Sequence, residues 1–241
     1  MAITLVESKT GGAAGSNVTL TFATSLLQND VVVVFGARST ANNPSIVTSG
    51  YTTIGTSEPL GGAFYKRMGA SPDTNVVCTG ESDAFYTATY VCFVLRGVDT
   101  TTAEDATATT ATATSTNPDA PSITTVTNNA WVIAFAGMAA LDSAVTVPSG
   151  YSNHATLGTN GIIGDTTVAG CTFEKTTAGA ENPPSWTDWL SGTWKTYSIA
   201  LRPAGAGWAN ISKINGVASS SIAKVNDVAV ASISKVNGVA V

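Results

Sequence analysis

The sequence predicts an all-β protein: an antiparallel β-sandwich, jelly-roll-like and made of two pseudo-repeated halves, followed by a short β-hairpin repeat tail. Three observations predict it. Short β-branched and aromatic segments recur, separated by Gly, Asn, Ser and Pro, and no long window carries a helical period. Landmarks of the first half return in the same order in the second. From Ile211 onward one phrase is written three times, ISKINGVASSS, IAKVNDVAVAS and ISKVNGVAV, with an 11-residue period.

The strand candidates in the first half are Ile3–Glu7, Val18–Ala23, Val31–Ala37, Tyr51–Thr56, Ala63–Met68, Asn75–Thr79 and Phe85–Arg96. In the second they are Ser122–Val126, Trp131–Gly137, Tyr151–Leu157, Thr167–Lys175 and Thr193–Leu201. Such short strands, punctuated by turn residues, suit a sandwich. Phe22, Val31, Val33, Phe35, Tyr90, Phe93, Leu95, Trp131, Ile133, Phe135, Ile199 and Leu201 are the expected core.

The repeated landmarks are a buried strand (Asn29–Ala37, Asn129–Gly137), Ser-Gly-Tyr (Ser49–Tyr51, Ser149–Tyr151), an aromatic-Lys strand and a long strand ending in Leu-Arg. The aromatic-Lys strands are Phe64–Arg67 and Phe173–Thr176; the long strands start at Tyr90 and Tyr197. One domain, 1–203, therefore holds an internal duplication, with halves of about 1–99 and 120–203. The halves are either two sandwiches or two interlocking parts of one jelly roll. Interlocking is preferred because each half has few bulky core residues and shared burial compensates. The Thr/Ala-rich connection 100–119 is either a linker or an edge strand; Thr favours strands, so the edge strand is preferred.

Residues 204–207, Ala-Gly-Ala-Gly, form a hinge before the three 11-residue repeats of 208–241. Each repeat sets Asn-Gly or Asn-Asp between apolar runs, the strongest short hairpin signal. With a two-residue turn at Asn237-Gly238, Val236 faces Val239 and Ser234 faces Val241. Asp227 accepts positive φ less readily than the Gly216 and Gly238 it replaces, so the middle turn is expected to be weaker or of another type. So small a unit cannot bury an apolar face alone. The tail is therefore expected to make a homo-oligomer, a trimer, or to dock on another protein. Its contact residues would be Trp208, Ile211, Ile214, Val217, Ile222, Val225, Val228, Ile233, Val236 and Val239.

Only 11% of the 241 residues are charged, the net charge is −5 and no basic cluster occurs, which disfavours nucleic-acid binding. No apolar run is long enough to cross a membrane, and the first residues, MAITLVESKTGG, do not read as a signal peptide. Cys78, Cys92 and Cys171 are odd in number and lack CxxC spacing. They read as buried thiols, with a Cys78–Cys92 disulfide as the alternative.

No phosphate loop, GxSxG or HExxH occurs, and the lone His154 has no neighbouring Cys or carboxylate. Glu58, Asp73, Glu81, Asp83, Glu104, Asp105, Asp165, Glu181 and Asp188 mostly flank turns, and nothing marks a glycosidase pair among them. No catalytic, cofactor or metal site is expected. One local feature stands out: Trp186, Asp188, Trp189 and Trp194 fall within nine residues. Tryptophan beside a carboxylate can form a glycan platform; the preferred reading has the rings plug the sandwich.

Four phrases stand in order here: Asn29–Phe35, Phe64–Lys66, Leu95–Asp99 and Pro148–Tyr151. In these the chain resembles duplicated β-sandwich domains of tailed-bacteriophage virion surface and appendage proteins, over roughly residues 15–203. Thr48 departs from that family's usual Pro. The tail resembles Ile-x-Lys-Val-Asn-Gly-Val repeats of phage appendage and virion surface proteins. The resemblance implies a non-enzymatic virion protein, assembled in the host cytoplasm and released by lysis. It would be an oligomeric tail fibre or appendage subunit whose partners are its own copies, other virion proteins and a host-surface glycan. A capsid decoration protein or head fibre is the alternative, and a bacterial surface adhesin the weaker third.

Overall fold

The runs Val31–Arg38 and Ala130–Met138 are buried along almost their whole length. That pattern requires cover on both faces, and each run becomes the central strand of a five-stranded sheet. The computed structural model describes residues 2–58, 60–141 and 145–205, together with six two-residue strands beyond them. The first half contains β1 (Thr4–Ala14), β2 (Val18–Thr21), β3 (Val31–Arg38), β4 (Thr52–Glu58), β5 (Gly61–Arg67), β6 (Asn75–Cys78) and β7 (Thr87–Arg96). The second contains β8 (Glu104–Ser115), β9 (Ile123–Thr125), β10 (Ala130–Met138), β11 (Ser152–Thr159), β12 (Thr166–Lys175), β13 (Gly179–Glu181) and β14 (Gly192–Leu201).

The large sheets run β1-β7-β3-β5-β4 and β8-β14-β10-β12-β11, with β2-β6 and β9-β13 as two-stranded sheets. Each strand of the second half thus occupies the place of the strand seven before it. Within a half the antiparallel pairs nest: β1 with β7, β2 with β6 and β3 with β5, repeated as β8 with β14, β9 with β13 and β10 with β12. One long hairpin rolled over on itself gives this order, the winding of a jelly roll. All the ladders are antiparallel, and the all-β sandwich expected from the sequence is the fold observed.

The two large sheets pack face to face. β1 lies against β11, β7 against β12, β3 against β10, β5 against β14 and β4 against β8. Exchanging the halves maps this set of contacts onto itself, with β3–β10 at its centre, so the interface resembles the isologous contact of a two-fold dimer, made within one chain. Its core holds Val31, Val33, Phe35, Phe93 and Leu95 from one half with Ile133, Phe135, Tyr197, Ile199 and Leu201 from the other. Glycines let the layers close. A Cβ on Gly12 of β1 would fall 1.8 Å from Thr159 Oγ1 of β11, and one on Gly170 would fall 2.8 Å from the Phe135 and Phe93 rings.

Two smaller cores sit on the outer faces, one under β2-β6 and one around Trp186, Trp189 and Trp194. Each five-stranded sheet is built from the strands of one half, and the two halves share the core between them. Each closes its own roll, and the missing burial comes from the shared face.

Two sequence matches also shift. Val32 pairs with Lys66, and its counterpart Val132 pairs with Phe173, so Lys66 corresponds to Phe173 and not to Lys175. The slip is two residues, which keeps the same face and so leaves the pattern intact. Tyr90 and Tyr197 differ by one residue in register and face opposite ways, Tyr90 into an outer core and Tyr197 into the shared one. The Thr/Ala run 100–119 is not a connection between the halves: it holds edge strand β8, the counterpart of β1, so the second half starts near Glu104 and not at 120.

Candidate functional site

The tail strands are β15 (Lys213–Ile214), β16 (Val217–Ala218), β17 (Lys224–Val225), β18 (Val228–Ala229), β19 (Lys235–Val236) and β20 (Val239–Ala240). They pair as three separate antiparallel hairpins with one shared register. Ile214 opposes Val217, Val225 opposes Val228 and Val236 opposes Val239. In each copy the Lys two residues before the turn pair opposes Ala. The middle copy keeps this register although it carries Asp227; that turn lies outside the described residues, as do Trp208, Ile211, Ile222 and Ile233.

The chain leaves the sandwich at the end marked by Arg96 and Arg202. There Ala204 N donates to Gly97 O at 2.7 Å, and Asp99 N donates to Arg202 O at 2.9 Å. Beside this exit lies a cleft of about 730 Å3 lined by Asp99, Asn128, Asn129, Glu174, Arg202 and Gly205 among others. Burial pushes the Asp99 carboxyl up, but amide donors from Thr102, Thr101 and Gly205 outweigh it and hold the group below its ordinary value.

The opposite end is apolar. Phe85, Ile162, Ile163 and Leu190 are exposed there, and Ile163 N and Gly164 N both donate to Phe85 O. A cavity of about 430 Å3 lies among Tyr86, Leu141, Ile163, Asp165 and Leu190.

Trp186, Trp189 and Trp194 are 0%, 4% and 4% exposed, and they pack with Met138, Tyr151 and Cys171. A pyranose has no ring face to rest on: no glycan platform is formed, and the rings fill a core. Trp194 Nε1 donates to Ser115 Oγ at 2.9 Å, tying the plug to β8. Asp188 is exposed, at φ 65°, and accepts from Thr146 Oγ1 and Thr187 Oγ1, which closes a loop.

The carboxylates likewise serve the fold. Asp73 pairs with Lys66, Glu81 with Arg38, Glu181 with Lys175, Glu58 with Lys195 and Asp105 with Arg202. The repeated Ser-Gly-Tyr acquires a reason here. Lys66 Nζ sits 5.6 Å from the Tyr51 ring centroid, and Phe173, its counterpart, stacks on Tyr151 at 5.2 Å. Each tyrosine is covered from the same register position. Asp30, buried and held by Arg96 Nε and Nη2 at 2.8 Å, was missed in the sequence. Its signal was the Asn-Asp step directly before the apolar run Val31–Ala37.

His154 is exposed on β11, and partial burial lowers its pKa. Cys78, Cys92 and Cys171 are free and buried. Among the described residues no three His, Cys, Asp or Glu side chains gather as metal ligands, and no helix is long and apolar enough to cross a membrane. Comparison with protein-family models and with the curated proteins finds no match for this chain.

Proposed function

We propose that this chain is a non-enzymatic structural protein of a tailed-phage particle, an oligomeric fibre or appendage subunit. In this reading the sandwich is the displayed body and residues 208–241 are the assembly segment. The observation that carries it is the set of three tail hairpins in one register at an 11-residue spacing. An isolated two-stranded hairpin is at best marginally stable in water, so repeated units of this size call for stacking on neighbours. Three copies of the chain around one axis would supply those neighbours. The sandwich supports the reading in a second way. Asp73, Glu81, Glu181, Glu58 and Asp105 are engaged in ion pairs and Trp186, Trp189 and Trp194 in packing, as a rigid display module needs.

Immunogold labelling of intact particles with antibody to the sandwich tests the proposal. Label at tail tips or fibres is the expected result, and label on heads would move the protein to capsid decoration. Purified particles that carry no label and no peptide of this chain would overturn the reading.

A further inference from the structure

Each large sheet ends in two open strands, β1 and β4 in one and β8 and β11 in the other. An open strand presents unpaired N–H and C=O groups, and proteins blunt such edges with charge, proline or bulges. Three of the four edges are blunted. β1 carries Glu7 and Lys9 and shifts register between Leu5 and Glu7. β4 shifts between Ile54 and Glu58 around Gly55 at φ 64°. β11 shifts between Ser152 and Ala155 with Asn153 at φ 54°.

β8 is different. From Thr109 to Ser115 it pairs residue for residue with Ser198 to Gly192, without a register shift, a charge or a proline. Its charges, Glu104 and Asp105, and both of its shifts lie at the other end of the strand. Thr112, Ala113 and Thr114 are exposed.

This segment, Thr-Thr-Ala-Thr-Ala-Thr-Ser, reads almost the same in both directions about Thr112. We propose that β8 is an interface strand, pairing antiparallel with β8 of a second copy about a two-fold axis at Thr112. Thr112 then faces Thr112, Ala111 faces Ala113, Thr110 faces Thr114 and Thr109 faces Ser115. Every hydroxyl residue opposes a hydroxyl residue and every alanine an alanine. Cross-strand Thr–Thr and Thr–Ser pairs are favourable, and no like charges meet. β8 already makes one such pair on its inner side, Thr114 Oγ1 with Thr193 Oγ1 at 2.9 Å. Moving the axis to Ala113 would set Ala111 against Ser115 and lose the match.

The alternative occupant is a strand of the tail. Each tail hairpin brings a lysine into its paired strand, Lys213, Lys224 or Lys235, and β8 offers no carboxylate between Thr109 and Ser115 to receive it. A second copy fits the edge better. The result is one sheet of ten strands, five from each copy. This contact is independent of the tail.

Full-length Thr112→Cys, oxidised mildly, tests the register. The native thiols are buried, so a covalent dimer on a non-reducing gel reports the new cysteine. The expected result is a dimer from Thr112→Cys and none from Ala113→Cys or Thr107→Cys. Full-length Thr112→Lys sets two ammonium groups on the axis. Its mass by sedimentation should fall by half with the melting transition unchanged. A folded Thr112→Cys that stays unlinked, a link through Ala113→Cys in its place, or an unchanged mass for Thr112→Lys overturns the proposal. So does a Thr112→Cys/Val239→Cys chain in which the link runs from β8 to the tail.

Discussion

Phe35 and Phe135 stand one hundred positions apart in the chain and stack on each other at the centre of the fold, ring centroids 5.2 Å apart and planes 11° off parallel. They occupy the same place in the two halves. Phe35 pairs across to Val91 on β7, and Phe135 to Tyr197 on β14. The pseudo-two-fold relation of the halves therefore brings this residue onto its own counterpart. Phe93 and Tyr197 close the cluster, at 5.7 Å from Phe135 and 5.6 Å from Phe35.

Truncating either ring opens a cavity shared by both halves. Phe35→Ala and Phe135→Ala should each lose about 3–5 kcal/mol. A double-mutant cycle should return a coupling of roughly 0.5–1.5 kcal/mol for the stacked pair. Denaturant midpoints of the four proteins provide the check. Two separate transitions in the wild type would mean that the halves fold apart.

Trp186 has no exposed surface and fills the outer core of the second half. Trp186→Ala should cost about 3–5 kcal/mol, as for other buried aromatic truncations. An exposed recognition residue would instead be removed with little change in midpoint. The same urea titration distinguishes the two.

Much of this was legible in the sequence. The strand segments follow from period-two patterning and turn residues, and the repeated landmarks share a backbone, with positive φ at Asn29 and Asn129 and at Gly50 and Gly150. What escaped has physical reasons. Residues 8–14 of β1, Ser-Lys-Thr-Gly-Gly-Ala-Ala, have low strand propensity; the edge of β7 and the close approach of β11 at Gly12 make them a strand. The three-residue β13 carries no pattern of its own and exists by pairing with β9. The aromatic-Lys match slid by two because facing, not identity, is what the sheet preserves. The tryptophan cluster reads alike in sequence whether it covers a core or a ligand; only its burial decides.

Asp105 holds the loop after β9. Its carboxylate accepts from Val126 N at 2.7 Å, Thr127 N at 3.2 Å and Thr127 Oγ1 at 2.6 Å, with Arg202 Nε at 3.3 Å. Glu7 does the same after β2, taking Ala23 N and Thr24 N at 3.0 Å. Burial pushes both carboxyls up, but Lys9 beside Glu7 and these donors outweigh it, and both sit below their ordinary values of 3.8 and 4.5. A depressed folded pKa adds stability that is complete above the unfolded value and is lost as pH falls through the folded one. Melting temperature should therefore drop as pH falls below about 4, and Asp105→Asn should flatten that drop while lowering stability at pH 7. Thermal melts of both proteins from pH 7 to pH 2 would show it.

Burial pushes all three thiols up, Cys92 to about 12, so the thiolate is scarce at neutral pH. The native protein should leave a thiol-reactive chromophore unconsumed at pH 8. In denaturant it should consume one equivalent for each of the 3 cysteines. A rapid native reaction would show that one of these strands opens locally.

The tail is where the account is most exposed. Sedimentation equilibrium of the full chain, beside a chain ending at residue 205 with Thr112→Lys in both to silence β8, isolates its contribution. The account predicts a trimer for the full chain and a folded monomer for the shortened one. Equal numbers of subunits for the two would contradict an assembly role for the repeats.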